Sequence, residues 1–171
     1  RTLDNASDVA TRFTKAAQAR HKRRILQLAD TLVPSIADLE LLQVGEQAFL
    51  HAELKSGALI PLSFAGDGAA TAVGLGLAIM HCQDGDVLVD EFEGTVHFSK
   101  LLGIWRELGK LASEFNCQLF VATHSRECIA AAIKGLEAIG RLSDLNYIRL
   151  DRINDATVAT SYTTDLLSTS F

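Results

Sequence analysis

Proline is scarce in this sequence, with 2 residues among 171, and 48% of the chain is hydrophobic. That composition excludes a proline-rich linker and a disordered segment, and it is long enough for one domain with its own core. The cysteines number 3, namely Cys82, Cys117 and Cys128, and no two form a Cys-x-x-Cys pair. Neither a zinc site nor a disulfide framework is suggested, and reduced thiols in a cytoplasmic protein are the expectation. No apolar run reaches the roughly 18 residues of a membrane span. The longest, Ala69 to Met80, is short and interrupted by glycine. Excess positive charge is missing as well. The formal net charge is -5, so no global basic field attracts nucleic acid or anionic lipid. One dense basic run, Arg20-His21-Lys22-Arg23-Arg24, reads as a solvated helix face, with a nucleic-acid contact as the alternative. The sequence opens on Arg1, without Met or a signal peptide, and reads as the middle of a longer protein.

What is present is strongly patterned. Ser7 to about Ile36 reads as a helix, with Ile25, Leu28, Ala29 and Leu32 on one face and Pro34 near its end. Leu39–Val44 and Ala48–Leu54 read as strands joined at Gly45-Glu46, with a second turn at Lys55-Ser56-Gly57. A loop from Ser63 to Gly68 opens a helix of small residues, Ala69 to Met80. Asp86–Asp90 and Gln118–Ala122 read as buried strands. A helix from about Ser99 to Phe115 separates them, with Leu101, Leu102, Trp105, Leu108 and Leu111 as its apolar stripe. A helix from Arg126 to Ile139 follows, then a strand pair, Tyr147–Arg152 and Thr157–Ser161. The order implies an α/β fold. Its parallel core strands are flanked by helices and covered on both faces, with short antiparallel strand pairs beside them.

Polar residues gather where such a sheet binds ligands, at the carboxyl ends of its strands. Asp90-Glu91 ends the run Val87-Leu88-Val89. Two adjacent acids fall on different sides of the backbone, so one can serve a magnesium ion while the other faces water. Taken alone, the run is equally an ordinary strand end with solvated acids. Thr123-His124-Ser125 ends the second strand. His124 can reach the same crevice, although Ser125 as a plain helix cap explains the triplet equally well. Leu62-Ser63-Phe64-Ala65-Gly66-Asp67-Gly68 puts glycines and a serine before a helix, where backbone N–H groups can meet an anion. Its plain alternative is a loop whose glycines serve turn geometry. No Gly-x-x-x-x-Gly-Lys-Ser/Thr run occurs anywhere in the chain.

The order of these motifs, from roughly Leu39 to Thr164, resembles the C-terminal half of an ABC-type ATPase head in the P-loop NTPases. The branch it looks most like is that of OLD-like and related predicted ATP-binding proteins. Leu62–Gly68 matches the signature loop, Val87–Glu91 the Walker B strand and Ala122–Ser125 the switch-histidine loop. Glu91-Phe92-Glu93-Gly94-Thr95-Val96-His97 resembles the Glu-x-Glu-x-x-Leu-His run of that branch. The resemblance implies ATP and Mg2+ as cofactors and a head-to-tail homodimer. Asp90 would support magnesium, Glu91 would polarise the attacking water, and His124 would sense the γ-phosphate. Ser63, Gly66, Asp67 and Gly68 would form the loop that meets ATP held by a second subunit. Glu93 and His97 would lie in the loop that crosses the dimer, without assigned roles.

It also implies one domain over residues 1–171: a helical lead-in (1–38), a strand pair (39–62) and the motif-bearing remainder (63–171). Phe92 stands where the wider group has Pro, and Thr95-Val96 is bulkier than usual. The larger departure is the missing Walker A segment. Without it the chain by itself holds no ATP, and it is expected to need a half supplied from elsewhere. A non-hydrolysing module that offers its signature loop in trans is the alternative. A metal-dependent nuclease built on Asp90, Glu91 and Glu93 is a third reading. An effector protein, a separate nuclease domain or DNA are the possible partners in that scheme, and a membrane is not.

Overall fold

The computed structural model describes residues 6–162. Thr164, where the motif resemblance ends, lies outside them. Two helices come first, α1 (Ala6–Gln18) and α2 (Lys22–Leu32), where the apolar spacing predicts one. The break is at Arg20, whose φ is 64°. A left-handed residue does not continue a right-handed helix. His21 N–H reaches the Ala16 carbonyl and Arg20 N–H the Ala17 carbonyl, which closes α1 in a Schellman turn with Arg in the position glycine usually takes. The basic run therefore straddles a corner. Two of its members are already paired, Lys22 with Asp38 at 2.7 Å and Arg24 with Glu114 at 2.7 Å.

Three strands follow, β1 (Ile36–Val44), β2 (Gln47–Leu54) and β3 (Leu59–Pro61), antiparallel in that order. The two-residue turn at Gly45-Glu46 is as predicted, with Gly45 at φ 63°. β3 is an addition. At three residues it is too short to show a period, and it ends on Pro61 at the sheet edge, where a missing N–H costs no ladder bond.

The second half alternates strand and helix: α3 (Asp67–His81), β4 (Asp86–Asp90), α4 (Phe98–Glu114), β5 (Gln118–Ala122) and α5 (Arg126–Glu137). β4 and β5 pair in parallel, from Asp86 opposite Gln118 to Asp90 opposite Ala122. A hairpin, β6 (Tyr147–Ile153) with β7 (Ala156–Tyr162), ends the described chain.

α3 is the pivot of the core. Ala72 to Ile79 are all buried, so this helix is apolar around its whole circumference. One side, with Leu75 and Ile79, joins a cluster with Val87, Val89, Leu101, Ile104 and Leu108. The other, with Val73 and Leu77, joins Phe13, Ile25, Leu39 and Leu50. The small residues permit this close packing: a Cβ on Gly76 would sit 2.7 Å from Leu28 Cδ2. In α4 the buried stripe is Leu101, Ile104, Trp105, Leu108 and Leu111, with Leu102 turned out at 39% exposure.

The expected double-sided burial of β4 and β5 is corrected by the structure. Val87 and Val89 face α3 and α4 and are buried, whereas Leu88 is 77% exposed and its partner Phe120 49%. Successive strand residues point to opposite faces, and among the described residues helices pack on only one. The β4–β5 pair thus carries an uncovered apolar face.

Candidate active site

Asp90 ends β4 on that uncovered face, in register with Leu88 and two positions beyond it. Its carboxylate has no hydrogen bond or ion pair among the described residues. The chain then turns sharply. Glu91 adopts φ 44° and ψ 41°, in the left-handed region. That conformation is costly for a non-glycine residue, on the order of 1–3 kcal/mol, and such strain concentrates at functional sites. The backbone is held there by the Glu91 N–H bonding the Ala122 carbonyl across the strand pair, at 3.0 Å.

The turn aims Glu91 at the end of the neighbouring strand. Its Oε1 lies 3.1 Å from His124 Nε2. The His124 side chain is 93% exposed, so this contact, and not packing, gives it a direction. Two strand-end residues predicted to share a crevice are therefore in contact.

Behind them lies a second link. After Glu91 a short 3-10 turn, Phe92–Thr95, buries Phe92 against Trp105, with ring centroids 5.6 Å apart. The same turn points Glu93 inward. Glu93 Oε1 accepts a hydrogen bond from the Thr123 hydroxyl. Its Oε2 is buried with no hydrogen bond of normal geometry. Thr123 Oγ1 in turn accepts from Ser125 N–H at 2.9 Å, and Ser125 Oγ caps α5 by accepting from Cys128 N–H at 3.1 Å. Cys128 is fully buried beside this cluster. Burial pushes its thiol up, the nearby Trp105 and Thr123 side chains oppose that, and the neighbouring Glu93 carboxylate adds to it. Glu93 thus turns away from Asp90 and Glu91. The three-acid metal cluster of the nuclease reading is not assembled among the described residues, where the one such group is Asp38, Glu40 and Glu53 on β1 and β2. Thr123 was named from the sequence only as part of the Thr123-His124-Ser125 triplet, without a role of its own. A hydroxyl residue at a strand end, two before a capping Ser, is the signal that could have found it.

The glycine loop lies at the opposite wall. Leu62–Ala65 forms a 3-10 turn, and Gly66 then starts α3 at φ 127° and ψ 140°, a region open to glycine alone. No side chain caps α3, so no side-chain oxygen takes up the N–H groups at the positive end of the helix dipole. Ser63 and Asp67 share a groove of ≈ 840 Å³ with Asp90 and Glu91. Gly68 packs inward: a Cβ there would sit 2.7 Å from the Thr95 carbonyl oxygen. Close approach to the turn after β4, rather than turn geometry, requires glycine at that position. His97 caps α4, its Nδ1 accepting from Ser99 N–H at 3.3 Å, and its ring lies 4.4 Å from that of Phe98.

No helix among the described residues is long and apolar enough to cross a membrane. No protein-family model matches the sequence, and no curated protein matches it. Solved structures do. One, from work on ATP-driven dimerization and DNA-stimulated activation of SMC ATPases, aligns at TM-score 0.59 and 12% identity over 92% of this chain and 93% of that one. An Smc head domain with an extended coiled coil, derived from Pyrococcus furiosus and bound to the C-terminal domain of ScpA, aligns at TM-score 0.61 and 13% identity. It covers 90% of this chain and 37% of that one. A SmcHead bound to the C-winged helix domain of ScpA aligns at TM-score 0.60 and 14% identity, over 94% and 48%. The chain spans less than half the length of these last two. At such identity the likeness establishes architecture alone: this chain has the α/β fold seen in those SMC head structures.

Proposed function

We propose that this chain is the C-terminal half of an ABC-type ATPase head, and that it works with a phosphate-binding loop from outside these 171 residues. The observation that carries the proposal is the contact between Glu91 and His124 at the carboxyl ends of adjacent parallel strands, 3.1 Å apart. The uncovered face bearing Leu88 and Phe120 supports the missing half, because apolar strand residues of this size are normally covered.

The donor set fits a magnesium ion. That ion takes one or two carboxylates and completes its shell with water and phosphate oxygens, and Asp90 offers one unpaired carboxylate on the open face. When bound, the ion would neutralise phosphate charge. Glu91 would hold and polarise the attacking water, since its strained turn directs the carboxylate off the strand end. His124 would donate to the terminal phosphate or release it, and its contact with Glu91 would link phosphate sensing to water activation. The uncapped start of α3, with Ser63, Gly66 and Asp67, would meet the nucleotide held by a second copy. Two nucleotides between two heads would make the dimer ATP-dependent. The Smc head structures with ScpA, and the SMC work on DNA stimulation, make a protein effector and DNA reasonable partners for this chain too.

Glu91→Gln in the full-length protein tests the role of the carboxylate. ATP turnover should fall by about 10²–10⁴-fold with ATP binding retained. Turnover at the wild-type rate would remove Glu91 from the chemistry.

A further inference from the structure

The strongest feature left unexplained is the inward carboxylate of Glu93. One of its oxygens sits on a threonine hydroxyl, and the other is buried beside the Cys128 thiol with no hydrogen bond of normal geometry. Glu93 is half-buried, yet leaving that oxygen away from water without a good hydrogen bond costs free energy, so a plain turn residue is a poor account of it. Its hydroxyl partner decides where it acts. Thr123 immediately precedes His124, and the same hydroxyl accepts from Ser125, immediately after it.

His124 is therefore bracketed. Its ring is 93% exposed and no neighbouring side chain packs it in place, so its position relative to Glu91 depends on its backbone. That backbone is pinned on both sides by one hydroxyl, whose proton is committed to Glu93 and whose lone pair takes the Ser125 N–H. Glu91 and Glu93 stand two residues apart on one turn, and His124 and Thr123 are neighbours on the other. The two turns are thus joined by two parallel rungs, Glu91–His124 at the surface and Glu93–Thr123 beneath it.

We infer that Glu93 is a positioning residue: through the Thr123 hydroxyl it fixes His124 in register with Glu91. The inference rests on the ATPase reading above and names a residue outside the reacting groups. The lower rung needs an acceptor at position 93 and a donor at position 123. It does not need a negative charge, which separates it from a role in chemistry or metal binding.

The test uses the full-length protein with Glu93→Gln, Glu93→Ala, Thr123→Ser and Thr123→Val. Glu93→Gln keeps an acceptor oxygen and Thr123→Ser keeps the hydroxyl. Both should turn over ATP within about threefold of wild type. Glu93→Ala and Thr123→Val should each lower kcat by about tenfold at unchanged KM, and the double variant should lose no more than either alone. Amide exchange at Ser125, which needs no nucleotide, should speed up in Thr123→Val and Glu93→Ala and not in the conservative pair. A loss in Glu93→Gln as deep as that in Glu91→Gln would overturn the inference, because the charge would then be what matters. So would multiplying losses in the double variant, or unchanged exchange at Ser125. If the wild-type protein turns over no ATP, the ATPase reading fails, and the exchange measurement alone still decides the rung.

Discussion

Gly68→Ala separates two explanations for one glycine, contact with a partner's nucleotide and close packing within this chain. An added Cβ would lie 2.7 Å from the Thr95 carbonyl oxygen and 3.5 Å from Val96 Cα. The first distance is well inside van der Waals contact, and both atoms belong to the backbone, so no rotamer change relieves it. Either α3 or the Phe92–Thr95 turn must move by roughly 0.5 Å. Overpacking of this kind costs about 1–3 kcal/mol. In a chain of 171 residues that corresponds to a fall in Tm of about 3–9 °C. Differential scanning calorimetry without nucleotide measures it. Thr95→Ala does not rescue the variant, because the clash is with a carbonyl and not with the Thr95 side chain. Gly66→Ala is the comparison: nothing lies within 4 Å of its Cβ, so its cost is backbone strain at φ 127° alone. An unchanged Tm in Gly68→Ala, or rescue by Thr95→Ala, would refute the packing argument.

Two further outcomes are expected. Leu88→Ser should leave the Tm of the 171-residue chain nearly unchanged, since the side chain is 77% exposed, yet lower that of the full-length protein. The second loss should reach about 1.5–3 kcal/mol if a further lobe covers this face, and equal effects in both would mean the face stays open. Burial pushes the Asp38 carboxyl up, but the Lys22 ammonium 2.7 Å away and the Leu39 N–H outweigh it and hold it below the ordinary range. A depressed carboxyl stabilises the fold above its unfolded value and loses that contribution as pH falls through the folded one. Lys22→Met should therefore be less stable than wild type at pH 7, by under about 1 kcal/mol for so exposed a pair, with the difference vanishing in acid. A difference that grows on acidification would contradict the pairing.

The sequence made the central α/β unit legible because its strands and helices have clean periods and sharp ends. β4 and β5 begin and end where the apolar runs predict, and α5 starts where Ser125 caps it. The break at Arg20 was not legible, because a left-handed turn on arginine leaves no compositional trace. Nor was the uncovered sheet face. Val87-Leu88-Val89 is uniformly apolar, and only packing reveals that its middle residue is exposed. In the site, Asp90, Glu91 and His124 stood out by chemistry and strand position. Glu93 stood out by motif, but its inward turn depends on the left-handed Glu91 before it, a backbone state that residue types do not encode. Thr123 was noted beside His124, but its role was not legible, because its single hydroxyl serves two partners that only the fold brings together.

The central claim is that this chain supplies a catalytic strand end to one nucleotide and a glycine loop to another. Mixing two inactive full-length variants tests it directly. Glu91→Gln removes the carboxylate, and Ser63→Arg blocks the loop at an exposed position. A mixed dimer of the two rebuilds one intact site, with Glu91 from one copy and Ser63 from the other. With random pairing the mixture should recover about one quarter of the wild-type ATP turnover. A mixture as inactive as its two components would contradict the account, because the loop and the carboxylate would then have to act within a single copy.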